Sequence, residues 1–398
     1  MIVVLNRVPA GLTPLGEWLA EVADDVALIT SPEAAEGYRG TFPTVIEVAD
    51  YPSSDGVDEA LDRLCRSHEV TRIVHVTEED ILRAARARDR HGIPGQSADQ
   101  ALPFRDKLVM KERVAAAGLR TPGFHAPRDA DDARSFAAGH GWPVVVKPRL
   151  GFASSGVTLV RTMDELTAEI GRRDLSDVLL EEYVPGPVYH VDGEAEQGEA
   201  RYVCPSRYIN NCLSFHDSVP LGSAQLGPDD PMTARLDAFT RETLAALPAC
   251  ERSPFHLEVM LHEGDGQLYF CEIASRLGGA HVPQALTYRT GVNPAQATIR
   301  HQAGLPTAGT EAIRLADELY GWVLVPPRSG TLLAVDTPDL PDWIREFLIR
   351  AETPQEFTGA SASIDAIVSF VAQGETFQIL ERRLIEFTEV AQRFTKWM

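Results

Sequence analysis

Hydrophobic and polar positions in the first hundred residues alternate between two patterns. Runs of consecutive apolar residues predict buried strands, and apolar residues three or four apart predict helices. Alternation of strands with helices predicts an α/β domain with a parallel, doubly wound sheet. No GxGxxG follows the first strand, so we do not expect a Rossmann-type dinucleotide site. The predicted strands are 1–6, 26–30, 44–51 and 72–77, and the predicted helices are 15–23, 58–68 and 78–92.

A further helix is predicted after this domain. Asp106 and Lys107 open it, and it stops at Gly118. A lysine at a helix N-terminus opposes the helix dipole. An anion bound at the same place would relieve that conflict, although a solvated surface lysine is the plainer interpretation.

The segment PVVVKPRLGFASSGVTLV, residues 143–160, combines two apolar runs with a flexible loop. The first run leads into Lys147, and the loop between the runs carries glycines and serines. This pattern is typical of two strands that hold a phosphate chain between them, with backbone N–H groups and hydroxyls as donors.

The next segments predict a helix at 163–173, a short strand ending in Glu181–Val184, and a hairpin over 188–205. Periodicity is weak over 205–231. We therefore predict a long loop there, which in a compact domain is usually functional or disordered.

The strongest chemical signal lies in PFHLEVMLHEGDGQLYFCEIASRLGGAHVP, residues 254–283. Two strands flank the turn GDG and should pair antiparallel. Because residues two apart in a strand share a face, Glu258 should lie on the same face as His256 and Met260. By the same rule, Glu272 should lie on the same face as Phe270 and Ala274. Two carboxylates on one face need a cation, and Mg²⁺ prefers oxygen ligands together with substrate phosphates.

An exposed hairpin with outward polar residues is the alternative interpretation. Arg276 follows shortly after Glu272 and offers the planar fork that suits phosphate.

Composition narrows the class of partner. The chain has 398 residues and a formal net charge of −21, which disfavours nonspecific binding to nucleic acid or anionic membranes. This net charge is compatible with a local basic pocket. No apolar run is long enough to span a bilayer and no signal peptide is evident, so we expect a cytoplasmic protein. The five cysteines are scattered, which predicts neither a zinc knuckle nor a disulfide framework.

Taken in order, these motifs resemble those of the ATP-grasp superfamily, over about residues 1–335. The resemblance implies an N-terminal α/β domain at 1–110, a small central lid domain at 111–185, and a C-terminal α+β domain at 186–398 with an antiparallel sheet. An extra C-terminal subdomain, about 305–398, looks like that of the amino-acid (dipeptide-forming) ligases and related amide synthetases. ATP would be gripped between the lid and the C-terminal domain.

The resemblance also implies residue roles. Lys107 and Lys147 would contact the α- and β-phosphates, and the loop would close over the γ-phosphate. Glu181 would accept from the adenine amino group, Glu258 and Glu272 would hold Mg²⁺ (or Mn²⁺), and Arg276 would steady the acyl phosphate and the later oxyanion. The remaining nucleotide contacts would come from Ser154, Ser155, Gly156, Glu182, Tyr183 and Val184.

Two positions depart from the family pattern. Val188 stands where many members have a ribose-binding glutamate, and His190 on the same strand face is a candidate substitute or a structural histidine. Ala274 stands where many members have a metal-binding asparagine, although the form Glu-Ile-Ala-x-Arg also occurs in the family.

The family chemistry implies an ATP-dependent carboxylate–amine ligase that proceeds through an acyl phosphate, with Lys147 and Arg276 as catalytic residues. Its partners would be a small-molecule carboxylate and an amine, with an amino acid as one of them, and a homodimer is conceivable. A purine-pathway ligase or a nucleotide-binding regulatory protein without ligase chemistry are the alternatives. Candidate substrate contacts are Arg207, Tyr208, His216, Arg276, Gly278, Gly279 and His281.

Overall fold

The computed structural model describes residues 1–210, 218–308 and 313–398. None of the helices in this part of the chain is long and apolar enough to cross a membrane.

The N-terminal region forms a four-stranded parallel sheet with strand order β3-β2-β1-β4. Its central strand is buried on both faces: Val3 and Leu5 pack into one apolar cluster, whereas Ile2 and Val4 pack into another. This confirms the predicted doubly wound sheet and explains why its strands read as continuous apolar runs. The elements are β1 (Ile2–Leu5), α1 (Leu15–Trp18), β2 (Val26–Thr30), α2 (Pro32–Ala35), β3 (Thr44–Glu47), α3 (Gly56–Ser67), β4 (Arg72–His75) and α4 (Asp80–His91).

A linker of two helices leads to a small antiparallel sheet, which we call the lid. The linker comprises α5 (Ala98–Ala101) and α6 (Lys107–Ala116), and Asp106 caps α6 by accepting from two backbone N–H groups. The lid sheet has the order β5-β8-β6-β7, with two helices packed on one face. Its elements are β5 (Phe124–His125), α7 (Ala130–His140), β6 (Val144–Pro148), β7 (Thr158–Val160), α8 (Met163–Ile170) and β8 (Val178–Glu182).

The C-terminal region is built on an eight-stranded antiparallel sheet, ordered β13-β12-β9-β10-β11-β14-β18-β16, and a smaller sheet, ordered β17-β15-β19. Its first half comprises β9 (Val188–Glu196), β10 (Glu199–Tyr208), β11 (Leu221–Gln225), α9 (Pro231–Ala245), β12 (Arg252–Leu261), β13 (Leu268–Ala274), α10 (Val282–Thr290) and α11 (Pro294–Gln302). Its second half comprises β14 (Leu319–Val325), β15 (Ser329–Val335), β16 (Ile344–Ile349), β17 (Gln355–Thr358), β18 (Val368–Gly374), α12 (Phe377–Arg393) and β19 (Thr395–Trp397).

The prediction of a long loop over 205–231 is wrong in part. β10 runs on to Tyr208, and β11 is an interior strand of the large sheet. All five residues of β11 are buried although their sequence is LGSAQ. A strand covered on both faces and composed of small and polar residues shows no alternation, so periodicity could not reveal it.

Candidate active site

A cleft with a cavity volume of about 140 Å³ lies between the lid and the β13–β12 end of the large sheet. The lid contributes β6, β8 and the loop between β6 and β7, and the large sheet contributes β9, β12 and β13. The residues predicted from the sequence that line this cleft are Lys107, Lys147, Ser154, Ser155, Glu181, Glu182, Tyr183, Val184, Val188, Glu258 and Glu272.

Buried lysines define the cationic side of the cleft. Lys147 at the end of β6 lies with its Nζ 2.8 Å from Oε1 of Glu181 on β8. Lys107, at the first turn of α6, has its Nζ 3.2 Å from Oε2 of Glu272 and donates to the carbonyl of Gly151 at 2.6 Å. The helix terminus therefore delivers its lysine to the cleft and to the predicted phosphate loop.

Charged neighbours shift the pKa values of Lys147 and Glu272. Burial would lower the pKa of Lys147, but Glu181 and other negative neighbours raise it above its ordinary value. Burial alone would raise the pKa of Glu272, but Lys107 and Lys147 lower it to about 2. Lys147 and Glu272 thus remain ionised at neutral pH, so that both could bind a charged ligand.

Lys111 is a site residue that the sequence interpretation missed. It is fully buried, its Nζ lies 3.3 Å from Oε1 of Glu181, and it donates to the carbonyl of Phe270. Burial lowers its pKa below the ordinary value even with Glu181 beside it.

Two signals could have found it. Lys111 lies one turn after Lys107 on the same helix, where positions i and i+4 share a face. It is also one of only four lysines among the 37 lysines and arginines of the chain. Lys107 and Lys147 line the cleft, Lys111 contacts the cleft residue Glu181, and Lys396 is exposed.

The two predicted metal carboxylates face each other across paired strands, since Glu258 on β12 is the register partner of Glu272 on β13. A bulge follows this pair, so that Val259 pairs with Phe270. The prediction that Glu272 shares a face with Phe270 is therefore wrong. The extra residue, Cys271, lets Phe270 enter the core while Cys271 and Glu272 both line the cleft.

The loop between β6 and β7 has an unusual backbone. Ala153 and Ser154 adopt positive φ angles of 52° and 57°, a region that non-glycine residues rarely occupy and that clusters at functional sites. The hydroxyl of Ser363, from the C-terminal region, donates to the carbonyl of Ala153 at 3.1 Å. The loop is thus positioned by the C-terminal subdomain as well as by the lid.

Arg276 lies at the border with the N-terminal sheet. Its Nε donates to Oε2 of Glu78 at 2.9 Å, and its Nη2 contacts the same oxygen. Arg105 stands 3.5 Å from the other oxygen of Glu78. Burial would raise the pKa of Glu78, but Arg276, Lys107 and Arg105 lower it. Glu78 and Arg105 were also missed, although Glu78 follows the carboxyl end of β4, where ligands of parallel sheets gather.

His190 lies outside the cleft lining. Its Nδ1 contacts Asp192 at 2.5 Å and its Nε2 contacts Ser223 at 2.5 Å, all within the buried sheet interior. His256 contacts the other Asp192 oxygen at 2.8 Å, so these three side chains form a group of potential metal ligands. The ring nitrogens of His190 already face Asp192 and Ser223, which leaves none for a ribose.

The substrate candidates fall in different places. The Tyr208 hydroxyl donates at 2.9 Å to Glu258, which lines the cleft. Arg207 points instead to helix α12, where it contacts Glu381 and stacks on the ring of Phe377, which does not fit a substrate contact. His281 is fully buried, with Nδ1 3.8 Å from Glu346.

Gly278 packs against Asp192 and His256, where a Cβ would meet each at 2.8 Å. Gly279 lies near Ile364 of the C-terminal subdomain. His216 lies outside the described residues.

Comparisons with known proteins show what the chain resembles in sequence and fold. Residues 106–191 match the family model for the carbamoyl-phosphate synthase L chain, ATP binding domain. An L-arginine-specific L-amino acid ligase of Bacillus subtilis is 24% identical over 268 residues, covering 65% of this chain and 64% of that protein. A D-alanine–D-alanine ligase of Mycolicibacterium vanbaalenii is 30% identical over 197 residues, which cover 45% of this chain and 52% of that protein. The matches span less than two thirds of the length of these curated relatives.

Solved structures match over the whole chain. The crystal structure of an L-amino acid ligase from Bacillus licheniformis has a TM-score of 0.75 at 17% identity and covers 100% of this chain and 98% of that one. A phosphoribosylglycinamide synthetase from Anaerococcus prevotii has a TM-score of 0.71 at 15% identity, with the same coverage. The resemblance drawn from the motifs is thereby confirmed, and the chain has the ATP-grasp fold.

Proposed function

We propose that this protein is an ATP-dependent carboxylate–amine ligase that joins an amino acid to a second small molecule through an acyl phosphate. The observation that carries the proposal is the cleft that Lys107 and Lys147 line together with the opposed carboxylates Glu258 and Glu272. A set of cations beside a carboxylate pair suits a polyphosphate with a bound divalent cation.

ATP would lie with its adenine at the exit of β8 and its phosphates toward β13. Glu182, Tyr183 and Val184 line one end of the cleft, and the loop bearing Ser154 and Ser155 lines the other. In this orientation Lys107 and Lys147 reach the phosphate chain. The loop would then close over the γ-phosphate, excluding water from the reacting groups.

The carboxylate pair fits a hard divalent cation, because both groups are oxygen donors, lie opposite each other, and in the case of Glu272 have a lowered pKa. Glu258 and Glu272 would hold Mg²⁺, or Mn²⁺ in its place. The bound ion would supply neutralisation of phosphate charge.

The reaction requires two displacements. A carboxylate oxygen of the first substrate attacks the γ-phosphorus and ADP leaves; the amine then attacks the acyl carbon, and phosphate leaves with the amide bond formed. Arg276 would neutralise the oxyanion that develops at the acyl carbon. Its contact with Glu78 would fix the position of its guanidinium.

Amino-acid substrates are favoured by the whole-chain likeness to an L-amino acid ligase structure and by the similarity to an L-arginine-specific relative. The likeness to phosphoribosylglycinamide synthetase supports a purine-pathway ligase as the second candidate. A regulatory protein without chemistry is disfavoured because Glu258, Glu272 and Arg276 are all present.

The proposal predicts oxygen transfer from substrate to phosphate. With ATP, Mg²⁺ and amino acids labelled with ¹⁸O in the carboxylate, supplied singly and in pairs, released phosphate should carry one ¹⁸O atom and the amide should retain the other. Mass spectrometry of both products makes the measurement. ADP formed with unlabelled phosphate would show hydrolysis instead, and no ADP with any amino acid would contradict the substrate class.

Metal dependence should follow the carboxylate pair. Glu272→Gln should reduce ADP formation at a given Mg²⁺ concentration by more than about tenfold, or ~1.4 kcal/mol. The loss should be more severe than in Glu258→Gln, because Glu272 also contacts Lys107. Glu263→Gln, exposed in the same hairpin, is the matched control. Full activity in excess chelator would rule the metal out.

Arg276→Ala should lower coupled amide formation roughly 10²–10³-fold, the effect of losing one oxyanion donor, and should change ATP affinity much less. Arg276→Lys should recover little, because lysine lacks the planar fork. The control is Arg300→Ala, which removes another ion pair to the N-terminal region, Arg300–Glu21 at 3.0 Å. Equal losses of ATP affinity and turnover would show that Arg276 binds the nucleotide, and would contradict its proposed role at the acyl carbon.

A further inference from the structure

A second cavity lies between the N-terminal sheet and the C-terminal region, with a volume of about 280 Å³. Strand β4, helix α4 and the segment after it form one wall, and the start of β12 and helix α11 form the other. None of the residues assigned to the ATP cleft lines it. Its rim includes exposed residues such as Gly95 and Gly304, so it is reachable from solvent.

The cavity is cationic. Three arginines line it, Arg72, Arg88 and Arg252, against one acidic residue, Glu251. Arg252 is matched by Glu194, with its Nε 2.8 Å from Oε1. Within the described ranges, neither Arg72 nor Arg88 has a carboxylate within ion-pair distance. The chain as a whole has a net charge of −21, so a general cationic surface does not explain the cluster.

Arg88 is the most informative of these residues. It is 4% exposed, its Nη2 donates to the carbonyl of Ile73 at 2.6 Å, and its Nε is buried without a hydrogen-bond partner. A buried guanidinium without a counter-ion is costly. Burial lowers the pKa of Arg88 to about 10. An anion at this position would offset the cost.

Two histidines, His75 and His301, also line the cavity. The Nδ1 of buried His75 has no hydrogen-bond partner, and burial together with Arg88 lowers the pKa of His75 to about 3. The pKa of His301, on the opposite wall, is lowered by burial and by Arg252. Both rings are therefore neutral at pH 7 and can serve as hydrogen-bonding groups beside the arginines.

We infer that this cavity is a binding site for a small anion whose carboxylate or phosphate group lies between Arg72 and Arg88. Guanidinium groups bind both kinds of oxyanion in a forked geometry. The volume of about 280 Å³ is close to the lower end of small-molecule pockets. The inference goes beyond the ligase proposal and does not depend on it.

The ligand would join the two regions of the chain. Arg72 and Arg88 belong to the N-terminal region, whereas His301 and Gln302 belong to α11. Gln302 already bridges this seam by accepting from the His75 N–H at 3.0 Å and donating to the His75 carbonyl at 3.1 Å. Ligand binding should therefore raise the melting temperature of the protein.

The test is calorimetric titration with sodium phosphate, sodium malonate and neutral malonamide at constant ionic strength. A saturating non-hydrolysable ATP analogue with Mg²⁺ keeps the probes out of the ATP cleft. Phosphate, malonate or both should bind, and malonamide should not. The anion that binds with the higher affinity shows whether the site recognises a phosphate or a carboxylate group. Arg72→Gln and Arg88→Gln should each weaken binding about tenfold or more, the loss of a charge-assisted hydrogen bond.

Arg86→Gln is the matched control, because Arg86 is exposed on the same helix as Arg88. It should leave anion binding unchanged, and affinity for the ATP analogue should be unchanged in all variants. If Arg88→Gln fails to fold, Arg72→Gln decides the matter, since Arg72 is half-buried and, among the described residues, its guanidinium donates only to the carbonyl of the adjacent Thr71. Absence of anion binding in the wild type, or unchanged binding in Arg72→Gln, would overturn the inference.

Discussion

Positive charge concentrated in a buried cleft is the constraint on which the rest of the structure depends. Three ammonium groups, those of Lys107, Lys111 and Lys147, are withdrawn from water, and each would be strongly destabilising without a carboxylate beside it. Glu181 forms ion pairs with Lys111 and Lys147, and Glu272 forms one with Lys107. A polyphosphate that enters the cleft can supply part of the negative charge that the carboxylates now provide. The lysines are therefore positioned to bind it.

These charges also tie separate parts of the fold together. Lys107 and Lys111 come from the linker helix, Lys147 and Glu181 from neighbouring strands of the lid, and Glu272 from the edge of the large sheet. The Arg276–Glu78 pair adds the N-terminal sheet. The ion pairs that prepare the cleft are therefore the same contacts that set the lid, linker and sheets against one another. A substitution at any of them would affect both geometry and charge.

The sequence was informative where a local pattern determines structure. Continuous apolar runs predicted the parallel sheet, and the GDG turn placed Glu258 and Glu272 on paired strands. Alternation failed at Cys271, because a single inserted residue changes which side chains share a face. The partners of Lys111 and His190 could not be predicted, because their environments come from Glu181 and Ser223, which lie far away in the chain. The roles proposed for these residues remain predictions; their placement is what the structure adds.

The scarcity of lysine permits a direct test of the central claim that ATP binds among the buried lysines. A sample labelled with ¹³C only in lysine should give four side-chain ε-CH₂ signals in a two-dimensional NMR spectrum, one for each lysine. On titration with Mg²⁺ and a non-hydrolysable ATP analogue, the signals of Lys107, Lys111 and Lys147 should move and that of exposed Lys396 should not. Saturable nucleotide binding that leaves the three buried lysine signals unchanged would contradict the account.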